Sequence, residues 1–436
     1  GENRCGGRKR RGSKIMFRTL ANAWKIKDIR QKILFTLLIL VIYRIGCYIP
    51  VPGINSSVIQ SAIANYDILG FLNLFSGGGL ENMTVFALGI TPYINASIIM
   101  NLLTIAIPPL ERLAKEEDGP KKIEAITRYV GVGIALAEAI GIIFSLKGAV
   151  VNTSFISYLT VILCLTAGSC ITMWLGERIN AKGIGNGISM IIFISIVSRV
   201  PSAVISLFNN AIQGTIGWWA LILILVLVVA IIFAVTFIDM GERRVPVQYA
   251  KRVVGRKQYG GQSTYIPMKI NPSGVLPLIF ASTFMQFVPM LCQIFWADSA
   301  FYAWWQKWLG SGSVAYMIIY ALLILFFAYF YSQIAFNPVD VSKNLQQYGG
   351  FVPGIRPGKP TSDYLARILS RITLFSAIFL AILAAVPTLL GRISGGSSLS
   401  SAFGATSVLI MVSVALETAR AIESQMMMRN YKGFLD

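Results

Sequence analysis

The chain has 436 residues, of which 55% are hydrophobic before its 39 glycines are counted, and only 13% are charged. A soluble globular chain carries about 25% charged residues, so this one has too few to cover a surface facing water. It has no histidine, which excludes histidine-based nucleophilic pairs, the usual zinc sites and histidine-ligated haem. Its five cysteines, an odd number set mostly in apolar blocks, read as small buried side chains and not as a disulfide framework.

In chain order, residues 1–15 hold the run Arg8-Lys9-Arg10-Arg11 and read as a leader or extension outside the fold, with Met16 a natural start. Apolar blocks then predict membrane spans at 33–50, 83–107, 125–146, 156–176 and 184–204 in a first half, 16–208. The second half, 209–436, continues with 218–238, 274–293, 314–335, 368–390 and 404–422. The expected fold is therefore all-α, a polytopic membrane protein of ten transmembrane helices in two inverted five-helix halves around a central pore.

Basic residues orient these spans, because inner loops of membrane proteins are enriched in Lys and Arg. With span ends approximate to several residues, only Lys147, Arg199, Lys307 and Arg392 of the 38 basic residues fall in or beside outer segments and Arg44 lies well inside a span, which leaves 33 in or beside inner segments. Both termini are thus expected in the cytoplasm. Two inner loops exceed a tight turn, at about 239–272 and 337–367. In the second, Gly and Pro density favours a shaped turn over a further helix. The seven basic residues of the first suit two readings equally, topology with contact to anionic lipid or docking of an acidic partner.

Five spans per half is the arithmetic of an inverted repeat. Span two opens Gly89-Ile-Thr-Pro92-Tyr-Ile94-Asn-Ala96-Ser97-Ile-Ile-Met100, and span seven opens Gly274-Val-Leu-Pro277-Leu-Ile279-Phe-Ala281-Ser282-Thr-Phe-Met285. Gly, Pro, Ile, Ala, Ser and Met recur at the same six of twelve positions. Helices interrupted by Gly and Pro at corresponding places mark the working site of such proteins.

The chemistry of an enzyme is weakly represented. Gly354-Ile-Arg-Pro-Gly358-Lys359-Pro360 has the wrong glycine spacing for a phosphate loop, and Pro360 stands where a magnesium-binding hydroxyl belongs. Gly183-Ile-Gly185-Asn-Gly187 reads as a close-packed helix start. Ionisable residues inside spans are few, Arg44 and Glu138 among them. No cofactor and no metal are expected, and any energy source would come from a partner.

Several long motifs, in order, resemble the SecY family, the channel subunit of the bacterial protein translocase. They are Met16-Phe-Arg-Thr-Leu, Phe86-Ala-Leu-Gly-Ile-Thr-Pro-Tyr-Ile-Asn-Ala-Ser-Ile-Ile-Met100, Trp174-Leu-Gly-Glu-Arg-Ile179, Gly183-Ile-Gly-Asn-Gly-Ile-Ser189, Arg244-Val-Pro-Val-Gln-Tyr-Ala-Lys-Arg252 and Gly350-Phe-Val-Pro-Gly-Ile-Arg-Pro-Gly-Lys-Pro360. The resemblance implies a protein-conducting channel in the bacterial plasma membrane that also releases transmembrane segments sideways into lipid. It implies a pore ring of Ile90, Ile94, Ile188, Ile192, Ile279 and Ile410. It further implies a plug at about 60–80, containing Ile68, Leu69, Phe71, Leu72, Leu74 and Phe75, with glycines 77–79 as its hinge.

A lateral gate is implied at Thr91, Asn95, Ser282, Thr283, Gln286 and Phe287. Partner docking is implied at Arg243, Arg244, Lys251, Arg252, Arg256, Lys257, Arg356 and Lys359. The implied partners are SecE and SecG subunits, the SecA ATPase, the ribosome, signal peptides and translocating polypeptides, and membrane lipids. The sequence departs from the family pattern at Thr91, Asn95 and Asn101, which alters the polarity of the gate. An inverted-repeat secondary transporter of a small solute is the alternative, and it would need charged or carbonyl-rich ligands midway instead of an aliphatic collar.

Overall fold

A computed structural model describes residues 24, 26–65, 73, 75–145, 148, 150–152, 154–214, 217–249, 252–254, 257–259, 263–295, 299–310, 313–394 and 405–432. The chain packs as two compact units, residues 1–210 with 414–436, and residues 211–413. The expected leader at 1–15 lies outside the described residues.

The first unit contains α1 (Lys27–Gly46), α2 (Ser56–Asn65), α3 (Thr91–Ala106), α4 (Pro108–Lys115), α5 (Gly119–Ser145), α6 (Phe155–Lys182), α7 (Gly187–Val197) and α8 (Val200–Ile212), the last running to the border of the second unit. Strict helicity follows from the solvent: in hydrocarbon each backbone N–H and C=O must be paired within the segment. Between α3 and α4 the axis bends by 101°. Pro108 forces Ile107 into an extended conformation, φ −110° and ψ 109°, so the helix cannot run through. α5 and α6 pack on one another over a core that includes Ala135, Ala139, Leu165 and Leu88.

The second unit contains α9 (Trp218–Asp239), α10 (Leu276–Phe295), α11 (Ala300–Leu309), α12 (Val314–Ala335), α13 (Pro338–Gln347) and α14 (Lys359–Ser394). α15 (Ala405–Lys432) is shared, since it belongs to the second unit through Ser413 and to the first beyond it. The two inner loops of this unit form a small sheet. β1 (Glu242–Tyr249) pairs antiparallel with β4 (Ser263–Lys269) on one edge and with β5 (Gly350–Phe351) on the other. β2 (Arg252–Val254) and β3 (Lys257–Tyr259) form a hairpin between β1 and β4. Alternation buries Val245 and Val247 on one face of β1, against Met268, Leu345, Val352 and Leu365.

Each of the ten expected spans falls on a helix. Six helices among the described residues are long and apolar enough to cross a membrane, or up to seven if the bent pair α3–α4 is one crossing. Two details differ from the sequence reading. Residues 83–90, read as the start of span two, are buried turns, because Gly89 takes φ +56° and a right-handed helix cannot pass through it. The loop at 337–367 contains the helix α13, capped by Asn337, whose side chain accepts from the Val339 amide at 3.1 Å. Between α13 and α14 its Gly- and Pro-rich part, 348–358, is free of helix.

Candidate pore constriction

The turn into α3 places Ile90 and Ile94. The Ile90 carbonyl accepts from the amides of Tyr93 and Ile94, both at 3.1 Å, which starts the helix immediately after the left-handed Gly89. Ile90 is fully buried. It converges with Ile188 and Ile191 of α7 on Gly176 of α6, where an added Cβ would lie 3.5–3.6 Å from all three. α7 can come this close because Gly187 rests on the Gly176 carbonyl, and a Cβ there would stand 2.0 Å from that oxygen. Asn186 then caps α7 by accepting from the amides of Ile188 and Ser189. The motif read as a close-packed helix start is therefore a packing contact and a cap together.

Ile94 and Ile192 are also buried in the first unit, and Ile279 and Ile410 are buried in the second. Ile188 is half-buried. None of the six isoleucines is an exposed, lipid-facing side chain.

Of the residues assigned to the plug, Ile68, Leu69, Phe71, Leu72 and Leu74 lie outside the described residues, and Phe75 is buried. The segment that follows is held by polar contacts. Asn73 Oδ1 accepts from the Glu81 amide at 3.0 Å, and its Nδ2 donates to Glu81 Oε2 at 3.2 Å. Arg199 Nη2 pairs with that same oxygen at 3.0 Å. Arg44 Nη1 donates to the Gly77 carbonyl at 3.1 Å, and Ser76 Oγ accepts from the Leu80 amide. The glycines expected as a hinge thus form a tied turn in this structure.

Sequence reading missed Asn73, Glu81 and Arg199. A signal was available: the outer segments of the first half contain two acids, Asp67 and Glu81, and two bases, Lys147 and Arg199.

The residues assigned to a gate divide between the units. On α3, Asn95 Nδ2 donates to Glu138 Oε1 of α5 at 2.8 Å, which gives the buried carboxyl its polar partner. Thr91 Oγ1 and Asn95 Oδ1, one turn apart, are both enclosed without a hydrogen bond. On α10, Ser282 is buried and donates to the Ile279 carbonyl at 2.8 Å, while Thr283 is half-buried. The side chains of Gln286 and Phe287 lie outside the description.

A polar hub at the foot of α10 was also missed. Asp239, at the end of α9, accepts from Ser413 of α15 and, at 3.1 Å, from Asn271 Nδ2. Asn271 donates to the Gly274 carbonyl at 3.1 Å and accepts from Ser376 Oγ of α14 at 3.1 Å. Four separate elements meet there, so no local pattern could show it.

The pairing of β5 with β1 joins the two basic loops in one sheet. Arg243, Arg244, Arg356 and Lys359 are exposed. Arg244 stacks over Tyr265, its guanidinium carbon 4.7 Å from the ring centre. The tip bearing Arg356 is fixed by Thr361 Oγ1, which donates to the Arg356 carbonyl at 2.8 Å, and by Ser342 Oγ, which donates to Gly358 at 2.7 Å. Lys251 and Arg256 lie outside the described residues, as do the side chains of Arg252 and Lys257. Among the described residues, no group of His, Cys, Asp or Glu could hold a metal ion.

With this geometry in place, comparison with known proteins is informative. The SecY family profile matches residues 84–419. A protein translocase subunit SecY of Streptomyces galbus is 43% identical over 440 residues, covering 96% of this chain and all of the relative. A solved protein conducting channel has the same fold, with a TM-score of 0.66 and 19% identity over 91% of this chain and 92% of that one. Sec61 in the canine ribosome-channel complex from the endoplasmic reticulum matches with a TM-score of 0.60 at 18% identity, with the same shares covered.

Proposed function

Because the chain belongs to the SecY family of protein translocase subunits, and so acts as a protein-conducting channel, we propose that Ile90, Ile94, Ile188, Ile192, Ile279 and Ile410 form its constriction. The single observation that carries this is the repeat. Ile94 and Ile279 occupy equivalent places after equivalent turns, and both are buried although many apolar side chains of their units are exposed. A narrow aliphatic collar excludes water and ions by dewetting, yet its methyl groups form no directional bonds to a sliding peptide. A solute transporter would instead need polar ligands there, and family membership gives that alternative no support.

In this reading the segment at about 60–80 is the plug, tied from its far side by Arg44, Glu81 and Arg199. α3 and α10 carry the gate through which a signal peptide or transmembrane segment reaches lipid. SecE and SecG complete the channel, and the bacterial plasma membrane holds it with both termini in the cytoplasm. SecA and the ribosome dock on the basic sheet, a surface that is exposed, cationic and braced.

The constriction is tested by replacing Ile94 and Ile279 with Gly and recording resting conductance in planar bilayers. A severalfold rise is expected, and an unchanged leak would remove these residues from the seal. Docking is tested by Arg356→Glu, which should abolish SecA-driven export into reconstituted vesicles while the protein still assembles. Undiminished export would exclude Arg356 from docking.

A further inference from the structure

One short helix has a surface that polypeptide passage does not call for. α11 reads Ala-Phe-Tyr-Ala-Trp-Trp-Gln-Lys-Trp-Leu, with tryptophan at 304, 305 and 308, one cation and no acid. Trp304 and Trp308 are one helical turn apart and so share a face. They are 52% and 56% exposed, beside exposed Lys307, whereas Leu309 is buried.

The place of α11 in the chain fixes its depth. It lies in the connection 296–313 between α10 and α12, and the sequence reading, in which both cross the membrane in succession, keeps that connection at one membrane face. Ser313 pins its end there. The Ser313 hydroxyl donates to the Trp308 carbonyl at 2.7 Å and accepts from the Tyr316 amide at 3.0 Å. The last residues of α11 are therefore held at the first turn of α12, where that helix enters hydrocarbon.

Tryptophan placement in the rest of this unit agrees. On the same reading α9 and α10 also cross in succession, which brings the start of α9 to the same face, and it opens with exposed Trp218 and Trp219. Among the described residues of this unit, all five tryptophans, 218, 219, 304, 305 and 308, stand on the segments assigned to that face. Indole rings concentrate where one edge can meet acyl chains and the N–H can meet water or headgroups. A neighbouring lysine suits the lipid phosphate.

We propose that α11 is a lipid-binding anchor, lying in the headgroup region with Trp304 and Trp308 at the acyl boundary and Lys307 on phosphate. It sets the depth at which α10 and α12 sit in the bilayer. The inference needs only that those two helices cross the membrane, and it stands whether or not the isoleucine collar is correct.

The test uses the full chain in phosphatidylcholine vesicles, comparing wild type with a Trp304→Phe, Trp308→Phe double variant. The difference in tryptophan emission isolates the two rings. Bromine atoms near the glycerol end of the lipid chains should quench it at least about twofold more than bromines near the chain terminus. Quenching by aqueous iodide with none by either brominated lipid would overturn the proposal, because the helix would then project into water. A signal untouched by all three quenchers would overturn it as well, since protein would then cover the rings. If the double variant fails to assemble, Trp308→Phe alone is measured in the same way.

Discussion

The turns into α3 and α10 have the same backbone and different surroundings. Gly89 and Gly274 both adopt left-handed φ, +56° and +61°. The next residue, Ile90 or Val275, has a carbonyl that accepts from the amides three and four positions on, at 3.1–3.2 Å in both turns. Each helix starts two residues after its glycine, with proline as its second residue. Around Gly89 the chain is crowded: a Cβ would lie 3.4 Å from Ser76 Cα, in a segment tied by Arg44, Glu81 and Arg199. A Cβ on Gly274 would meet nothing within 4 Å, and the turn is held from below by the neutral amide of Asn271, itself bound to Asp239. A repeated backbone was kept while its bracing diverged, because the turn is a local property and the brace is not.

The largest expected effect falls on the crowded side. Gly168 of α6 faces the carbonyl of Val85, just before the first turn, and a Cβ there would come within 1.8 Å of that oxygen. Gly168→Ala must push backbone apart, with no flexible side chain to yield, so a loss of about 3 kcal/mol or more is expected. Thermal unfolding in detergent measures it, and an unshifted midpoint would mean the first unit tolerates looser packing than this contact implies.

Next come the two turn glycines themselves. Alanine at a left-handed position costs about 1–2 kcal/mol, so Gly89→Ala and Gly274→Ala should lower stability by similar amounts in the same assay. If only one does, the two turns are not equivalent and the repeat is weaker than its backbone suggests. The difference between the pair should be the smallest effect, a few tenths of a kcal/mol, because a 3.4 Å contact is ordinary packing. A much larger penalty at Gly89 would show that the tied segment around Ser76 cannot relax.

Much of this architecture was legible in the sequence. Apolar blocks located the helices because a span must be predominantly apolar over about 20 residues, and the Gly and Pro matches at 89–92 and 274–277 marked the paired turns. α13 was missed because a search for apolar blocks ignores a polar helix, although Asn337-Pro338 is a recognisable cap and first turn. The sheet formed by β1, β4 and β5 was missed since its strands come from two loops about a hundred residues apart. At the candidate site, the resemblance named the isoleucines, while the Asn95–Glu138 bond joins two helices whose register the sequence does not specify.

By itself the sequence determined that this chain lives in a membrane, where its helices run and which two turns repeat. These depend on composition and on contacts within a few residues. Only the tertiary structure decided that Arg199 meets Glu81, that Asn95 meets Glu138 and that Asp239 gathers Asn271 and Ser413. Each of those bonds joins residues distant in the chain, and its geometry exists only once the helices have packed.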